Sequence, residues 1–296
     1  MSTVKILMLF SVLSFILISF GALIGYFVGN FLIWIAMFLA IAIIMNIVSY
    51  FKSDYIALKA TGSKIIGENE NPRFYAIVKK VSEIAGVPMP RIGIMPTETP
   101  NAFATGKDQK HALVVATSGI LKMLNDDELE SVIGHEISHI THKDILVSTI
   151  AATLAVLVSY IGNIILFSEI FGGVDNRNNS SWMILLVAAI LIPIGATFVQ
   201  LGISREREAY ADEGSVRLIR KPDELISSLQ KISGAPKTNN RGVVRNSQKT
   251  PQPGAYSSLF LVNNFSSHYL LSLFSTHPSL EKRVKNINRV RDEMNI

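Results

Sequence analysis

Long unbroken apolar runs alternate along this chain with stretches in which apolar positions recur at helix or strand spacing. No charged residue occurs from about residue 6 to residue 28, and the run 31–50 follows after only Gly29-Asn30. Two later runs, 145–167 and 182–202, are also free of charge. Each is long enough for a helix to cross a hydrocarbon layer of about 30 Å. The first is too long for the core of a signal peptide and leads straight into the second. The pattern therefore predicts four transmembrane helices in two hairpins. Ser148, Thr149, Thr153, Asn163, Pro193 and Thr197 make the second pair less apolar, which suits helix packing within lipid. The competing reading makes one or both of those later runs buried core helices of a larger soluble domain.

Between and after the runs the periodicity changes. Asn71-Pro72 opens a helix with Phe74, Ile77, Val78, Val81 and Ile84 on one face. Residues 91–95 and 111–117 read as strands, the second apolar enough to be buried on both faces. Between them, residues 101–106 are small and extended. Asn125 with Glu128 is a capping-box start, and Leu129, Val132, Ile133, Ile137 and Ile140 follow at helical spacing. Another helix starts near Ser204. Residues 235–254 are rich in Pro, Asn, Gly and charge and predict a flexible insert. His277-Pro278 opens a last helix, with Leu280, Val284, Ile287 and Met294 inward and Lys282, Arg283, Lys285, Arg289 and Arg291 outward. The organisation is a transmembrane hairpin over 1–50, a soluble half over 51–144, a second hairpin over 145–202 and a second soluble half over 203–296.

Composition supports that division. The chain is 49% hydrophobic and 17% charged, against about 25% charged in an ordinary soluble domain. The net charge of +5 follows the rule that lysine and arginine flank membrane spans on the cytoplasmic side. Lys5 precedes the first hairpin and Lys52, Lys59 and Lys64 follow it, while Lys143, Arg205 and Arg207 flank the second. Both termini and both soluble halves are thereby expected in the cytoplasm. No cysteine is present, so a metal would have to be held by histidine and carboxylate. No glycine-rich phosphate cradle occurs, which argues against ATP-driven action.

The chemistry gathers at His135-Glu136-Ile137-Ser138-His139. Two imidazoles four residues apart on a helix stand on one face, one turn apart. That separation chelates one zinc ion, with Glu136 beside it as general base for a water. The bland alternative is two surface histidines. In the second half, Glu208 and Asp212 are also four apart, so one helix face can present a carboxylate to the metal. One turn on, the same face can present a second carboxylate to orient a ligand imidazole. Glu206 lies about 200° round the helix from Glu208, so only one of them can face a site. The alternative here is a solvated, charged helix start. Residues 101–106 are a candidate sheet edge for pairing with a polypeptide substrate, against an ordinary hairpin strand. His111, His142 and His268 read as structural or surface residues.

With these residues in place, the chain resembles the HtpX-type membrane zinc metalloproteases, gluzincins related to the CaaX prenyl-proteases of the Ste family. The resemblance rests on both pairs of apolar runs, residues 101–106, His135-Glu136-x-x-His139, Ser204-Arg205-x-Arg207-Glu208-x-x-Ala211-Asp212, and His277-Pro278. It implies an α-helical membrane protein with a cytoplasmic, zincin-like α+β catalytic domain, in the cell membrane of a bacterium. The implied activity is zinc-dependent endopeptidase cleavage of damaged or misfolded membrane proteins in quality control. His135, His139 and Glu208 would hold one zinc, Glu136 would be the catalytic base, and Asp212 would back a ligand histidine. Asn101, Ala102 and His277 would contact the substrate or transition state. The implied partners are polypeptides and the lipid bilayer, and no nucleic acid. A silent scaffold or holdase is the rival, although it has no need of both the intact motif and Glu208. A nucleic-acid or lipid-headgroup binder built on the basic last helix is a weaker one, because a solvated face beside an anionic leaflet accounts for those charges.

Overall fold

The computed structural model describes residues 2–142, 145–171, 205–234 and 279–296. Helices α1 (Ser2–Val28) and α2 (Phe31–Thr61) form an antiparallel hairpin whose turn places Gly29 and Asn30 at positive φ. The segments Ile6–Tyr26 and Phe31–Thr61 are long and apolar enough to cross a membrane. The sequence pattern ends the second span near Tyr50, but α2 runs on without a break. Its 31 residues measure about 46 Å at 1.5 Å each, well beyond a hydrocarbon core of about 30 Å. It stops only at Gly62, whose left-handed backbone returns its amide to the Lys59 carbonyl at 3.3 Å.

The projecting end of α2 leads into a four-stranded sheet of β1 (Lys64–Ile66), β2 (Arg91–Met95), β3 (Ala102–Gly106) and β4 (Ala112–Thr117), in the order β1-β2-β4-β3. β2 and β4 are parallel, and β1 and β3 pair antiparallel at the two edges. Strand β1 has no period-2 pattern and is not foreseen in the sequence. β4 is buried throughout because both faces of the sheet are covered. Val114 and Ala116 belong to the core under α3 (Pro72–Ala85) and α5 (Asp126–Thr141). Leu113 and Val115 join Phe103 in a second cluster with Leu58 of α2 and Ala152 of α6 (Ile145–Phe171).

Helix α3 is capped by Asn71, whose side chain accepts the Phe74 amide at 3.0 Å. Phe74, Ile77, Val78 and Val81 of its apolar face are buried, whereas Ile84, on the last turn, is exposed. After the short α4 (Ser118–Met123), α5 runs through the centre of the soluble part, against α3, β3, α7 (Arg205–Ile219) and α8 (Pro222–Gly234). Leu129, Ile133, Ile137 and Ile140 are fully buried, and each such side chain contributes about 1.5–3 kcal/mol. The last helix, α9 (Leu280–Met294), packs on α7 and α8. The third predicted span coincides with α6, whose Val147, Ile150, Leu154 and Val158 pack on α1 and α2. The fourth predicted span, the insert 235–254 and His277 lie outside the described residues.

Candidate metal centre

The register of α5 is set at its start. Asn125 Oδ1 accepts the Glu128 amide at 2.8 Å, and Glu128 Oε2 accepts the Asn125 amide at 3.0 Å. Three acidic residues in the first turn favour the positive end of the helix dipole. With the start fixed, the apolar positions turn into the core and His135 and His139 emerge together towards α7. Their Nε2 atoms are 3.2 Å apart and their rings stand at 87°.

Helix α7 comes unusually close because glycines face it on both sides. A Cβ on Gly214 would lie 2.4 Å from Ser138 Oγ, and one on Gly134 would lie 2.7 Å from Ile219 Cγ1. The approach is locked by Ser215, which donates to the Ser131 carbonyl at 2.6 Å. It carries Glu208 to the histidines, with Oε2 3.7 Å from His135 Nε2 and Oε1 3.6 Å from His139 Nε2. Glu206, round the helix, is exposed.

One ligand atom each from His135, His139 and Glu208 lie within 4.8 Å of one another, and the three residues could together hold a metal ion. Four donors at about 2.0–2.1 Å around a tetrahedral zinc stand about 3.3 Å from each other. The two Nε2 atoms, 3.2 Å apart, match that edge, and each histidine has a different Glu208 oxygen 3.6 or 3.7 Å away, so the donor set fits zinc in chemistry and lies near it in spacing. The arrangement supplies three protein groups and leaves a fourth position for water or substrate.

Behind the histidines lies a buried charge relay. Asp212, one turn after Glu208, accepts from His135 Nδ1 at 2.9 Å. A hydrogen on Nδ1 leaves the Nε2 lone pair facing Glu208 and His139. Asp212 is completely buried, and burial alone would raise its pKa. The Arg283 guanidinium and the His135 bond instead hold it below the ordinary carboxylate range. Arg283 donates to both Asp212 oxygens, Nε at 2.9 Å and Nη2 at 2.6 Å. The sequence reading turned Arg283 outward with the other basic residues of the last helix, yet it is only 3% exposed. The signal was present: Arg283, Ile287 and Val290 share one helical stripe, and all three are buried.

Glu136 is buried at 4% exposure, and one carboxylate oxygen accepts the Ala104 amide at 2.8 Å. Removal from water, reinforced by the negative charge of Glu208, pushes its pKa up to about 7 against the opposing pull of His135. That bond ties Glu136 to β3, the strand foreseen as a substrate edge. The topology does make β3 an edge strand. All of residues 101–106 are nonetheless buried, and the Gly106 amide is taken by Thr149 Oγ1 of α6 at 3.2 Å. Asn101 is anchored to the next strand, its amide donating to Thr117 Oγ1 at 2.9 Å and its carbonyl accepting the Thr117 amide at 2.9 Å. Ala102 lies two residues before Ala104 on the inner face of the strand. His111 is exposed beside Asp108, and the exposed His142 donates from Nδ1 to the Ser138 carbonyl, 2.7 Å away; neither joins the cluster.

Comparison with known proteins identifies the family. The description of Peptidase family M48 matches residues 68–291. A protease HtpX homolog of Thermococcus kodakarensis is 41% identical over 275 residues, 92% of each chain. Another, from Pyrococcus furiosus, is 43% identical over 274 residues, again 92% of each. One from Campylobacter hominis is 37% identical across 99% of this chain and 100% of its own. A crystal structure of S. mikatae Ste24p superposes at a TM-score of 0.45 with 18% identity, and the aligned chain spans 97% of this protein but only 65% of that one. A family match of this extent, with relatives above a third identical along nearly their whole length, makes this chain a member of Peptidase family M48 and a membrane metalloprotease.

Proposed function

We propose that the protein is a zinc endopeptidase whose His135, His139 and Glu208 hold one zinc ion and whose Glu136 is the catalytic base. The observation that carries the reading is the convergence of the three donor atoms from α5 and α7, with a buried carboxylate beside them. Zinc bound there supplies a Lewis acid for the scissile carbonyl and lowers the pKa of a water at the site. Glu136 takes a proton from that water on its carboxylate oxygen and passes it to the departing amine nitrogen. A carboxyl group that titrates near neutral pH suits both halves of that exchange. Asp212 and Arg283 hold His135 in the tautomer a metal requires.

The substrate is a polypeptide, and the reading places its extended backbone along residues 101–106, with Asn101 and Ala102 as contacts and His277 reaching the transition state. Ala104 is the natural reference point, since its amide marks where Glu136 sits. Because these residues are buried, the groups over the strand give way as a substrate enters. The four spans, the organisation into two hairpins and two soluble halves, and a cytoplasmic site in the cell membrane complete the proposal. Lys52, Lys59 and Lys64 after the first hairpin support that orientation. Damaged or misfolded membrane proteins are the substrates such a placement favours.

The test is metal dependence. Protein purified in detergent without chelator should carry one zinc per chain and cleave casein. Chelation should abolish cleavage, and zinc should restore it. Client binding without cleavage, in protein that carries no zinc, would establish the scaffold instead.

A further inference from the structure

Where α2 leaves the apolar part of its length, its surface changes character in a definite order. Phe51, Tyr55 and Lys59 are four residues apart and therefore form one stripe up the helix. Phe51 is 65% exposed, Tyr55 is 57% exposed, and Lys59 is also exposed. Tyr50 and the exposed Lys52 flank the stripe, with the Tyr50 and Phe51 rings edge to face at 5.0 Å. Lys59 Nζ stands 5.8 Å from the centre of the Tyr55 ring. The opposite face of the same turns, Ser49, Ser53, Ala57 and Thr61, is buried. Large aromatic side chains left out on the open face of a helix, beside lysines, are what a water-exposed helix avoids.

The order along the stripe is apolar, then amphipathic, then cationic. That is the order met on passing from hydrocarbon through the headgroup layer to the phosphates and water. The height agrees. About twenty residues fill the hydrocarbon core, so a span beginning at Phe31 reaches its edge near Tyr50. Tyr55 then stands about 7 Å above the edge and Lys59 about 13 Å above it.

We propose that the stripe Phe51–Tyr55–Lys59, with Tyr50 and Lys52, is seated in the headgroup layer of the bilayer that α1 and α2 cross, its lysines on anionic lipid phosphates. The stripe is continuous with the lipid-facing surface of the same helix, and its charge is complementary to an anionic leaflet. A consequence follows for the reaction. Leu58 on this projecting end packs against Phe103, Leu113 and Val115, on the outer face of the sheet. Asp54 is bonded to Arg91 of β2 at 2.9 Å. Seating α2 therefore seats the sheet, and holds β3 about 12 Å above the hydrocarbon edge. The enzyme meets its polypeptides at the membrane surface, a statement that rests on the reading of the site as a protease.

The absence of cysteine makes the test direct. Single cysteines replacing Ile43, Phe51, Tyr55 and Lys59 in turn are spin-labelled in full-length protein. The labelled proteins go into nanodiscs of phosphatidylcholine with phosphatidylglycerol, and accessibility to oxygen and to a water-soluble nickel chelate gives the depth of each label. The expected order is Ile43 in hydrocarbon, Phe51 at its edge, Tyr55 among the headgroups and Lys59 at the phosphates. Lys52→Glu with Lys59→Glu should lift the Tyr55 label towards water, and leaving out phosphatidylglycerol should do the same. Labels at 51, 55 and 59 that are equally open to the nickel chelate, with Ile43 still in hydrocarbon, would overturn the proposal and leave the membrane reading standing. An Ile43 label in water would overturn both. Cleavage of casein by the same nanodiscs reports separately on the protease reading.

Discussion

Three glutamates on α5 are equally hidden from solvent and have opposite chemistry. Glu128 and Glu130, in the first turns, are 1% and 5% exposed, and Glu136 is 4% exposed. Burial pulls all three towards the neutral form. At Glu128 it is outweighed by Lys231 at 2.5 Å, Ser227 at 2.6 Å and the Asn125 amide. At Glu130 it is outweighed by Lys80 and Lys221, each at 2.7 Å. Both carboxyls are held below their ordinary range. Glu136 meets a backbone amide and the negative charge of Glu208, and burial wins. Low exposure alone does not set the charge of a carboxylate; its depth and its partners together do. The first two glutamates tie α5 to α3 and α8, and the third has its pKa pushed up to about 7, as the proposed proton exchange requires.

The comparison can be broken most severely at the metal. Replacing Glu208 by Ala should remove both the zinc and the cleavage, leaving less than about a hundredth of wild-type kcat/KM. Stoichiometric zinc in the purified variant, by atomic absorption, would sink its role as a ligand. A smaller loss is expected behind the histidine. Arg283→Met strands Asp212 in the interior, and breaking such a buried pair costs about 3–5 kcal/mol. Zinc affinity should weaken about 10- to 100-fold, read by competition with a chelator. Adding Asp212→Asn should recover part of the lost stability, because the two charges act as a unit. Unchanged melting and affinity in Arg283→Met would contradict the relay.

The mildest change tests the structural side. Glu130→Gln should cost about 1–3 kcal/mol at neutral pH. Its carboxyl is held below the unfolded value of 4.5, so its contribution is present above that pH and fades as pH falls through the folded value. The gap in melting temperature between wild type and Glu130→Gln should therefore close on acidification. A gap that widened towards acid would reverse the assignment.

Much of the candidate site could be read in the chain because it is written locally. The spacing of His135, Glu136 and His139 and the Asn125–Glu128 cap lie within a few turns of α5, and the pairing of Glu208 with Asp212 lies within one turn of α7. Arg283 was harder, because what buries it is a carboxylate 71 residues away in sequence. In the chain it looks like one more charge on a basic face. The full length of α2 was hidden for a similar reason: beyond Tyr50 its buried positions are Ser53, Ala57 and Thr61, which carry little hydrophobic signal. Residues 101–106 could be recognised as an edge strand, but their cover comes from elsewhere in the chain.

The central claim is that one carboxylate on α5 does chemistry while its neighbours hold structure. Glu136→Gln is nearly isosteric and does not touch the ligand set. Zinc content and casein cleavage measured together on wild type and this variant test the claim most directly. The account predicts one zinc per chain in both proteins and a fall in kcat of at least about a hundredfold in the variant. Cleavage at the wild-type rate by a zinc-loaded Glu136→Gln would contradict it.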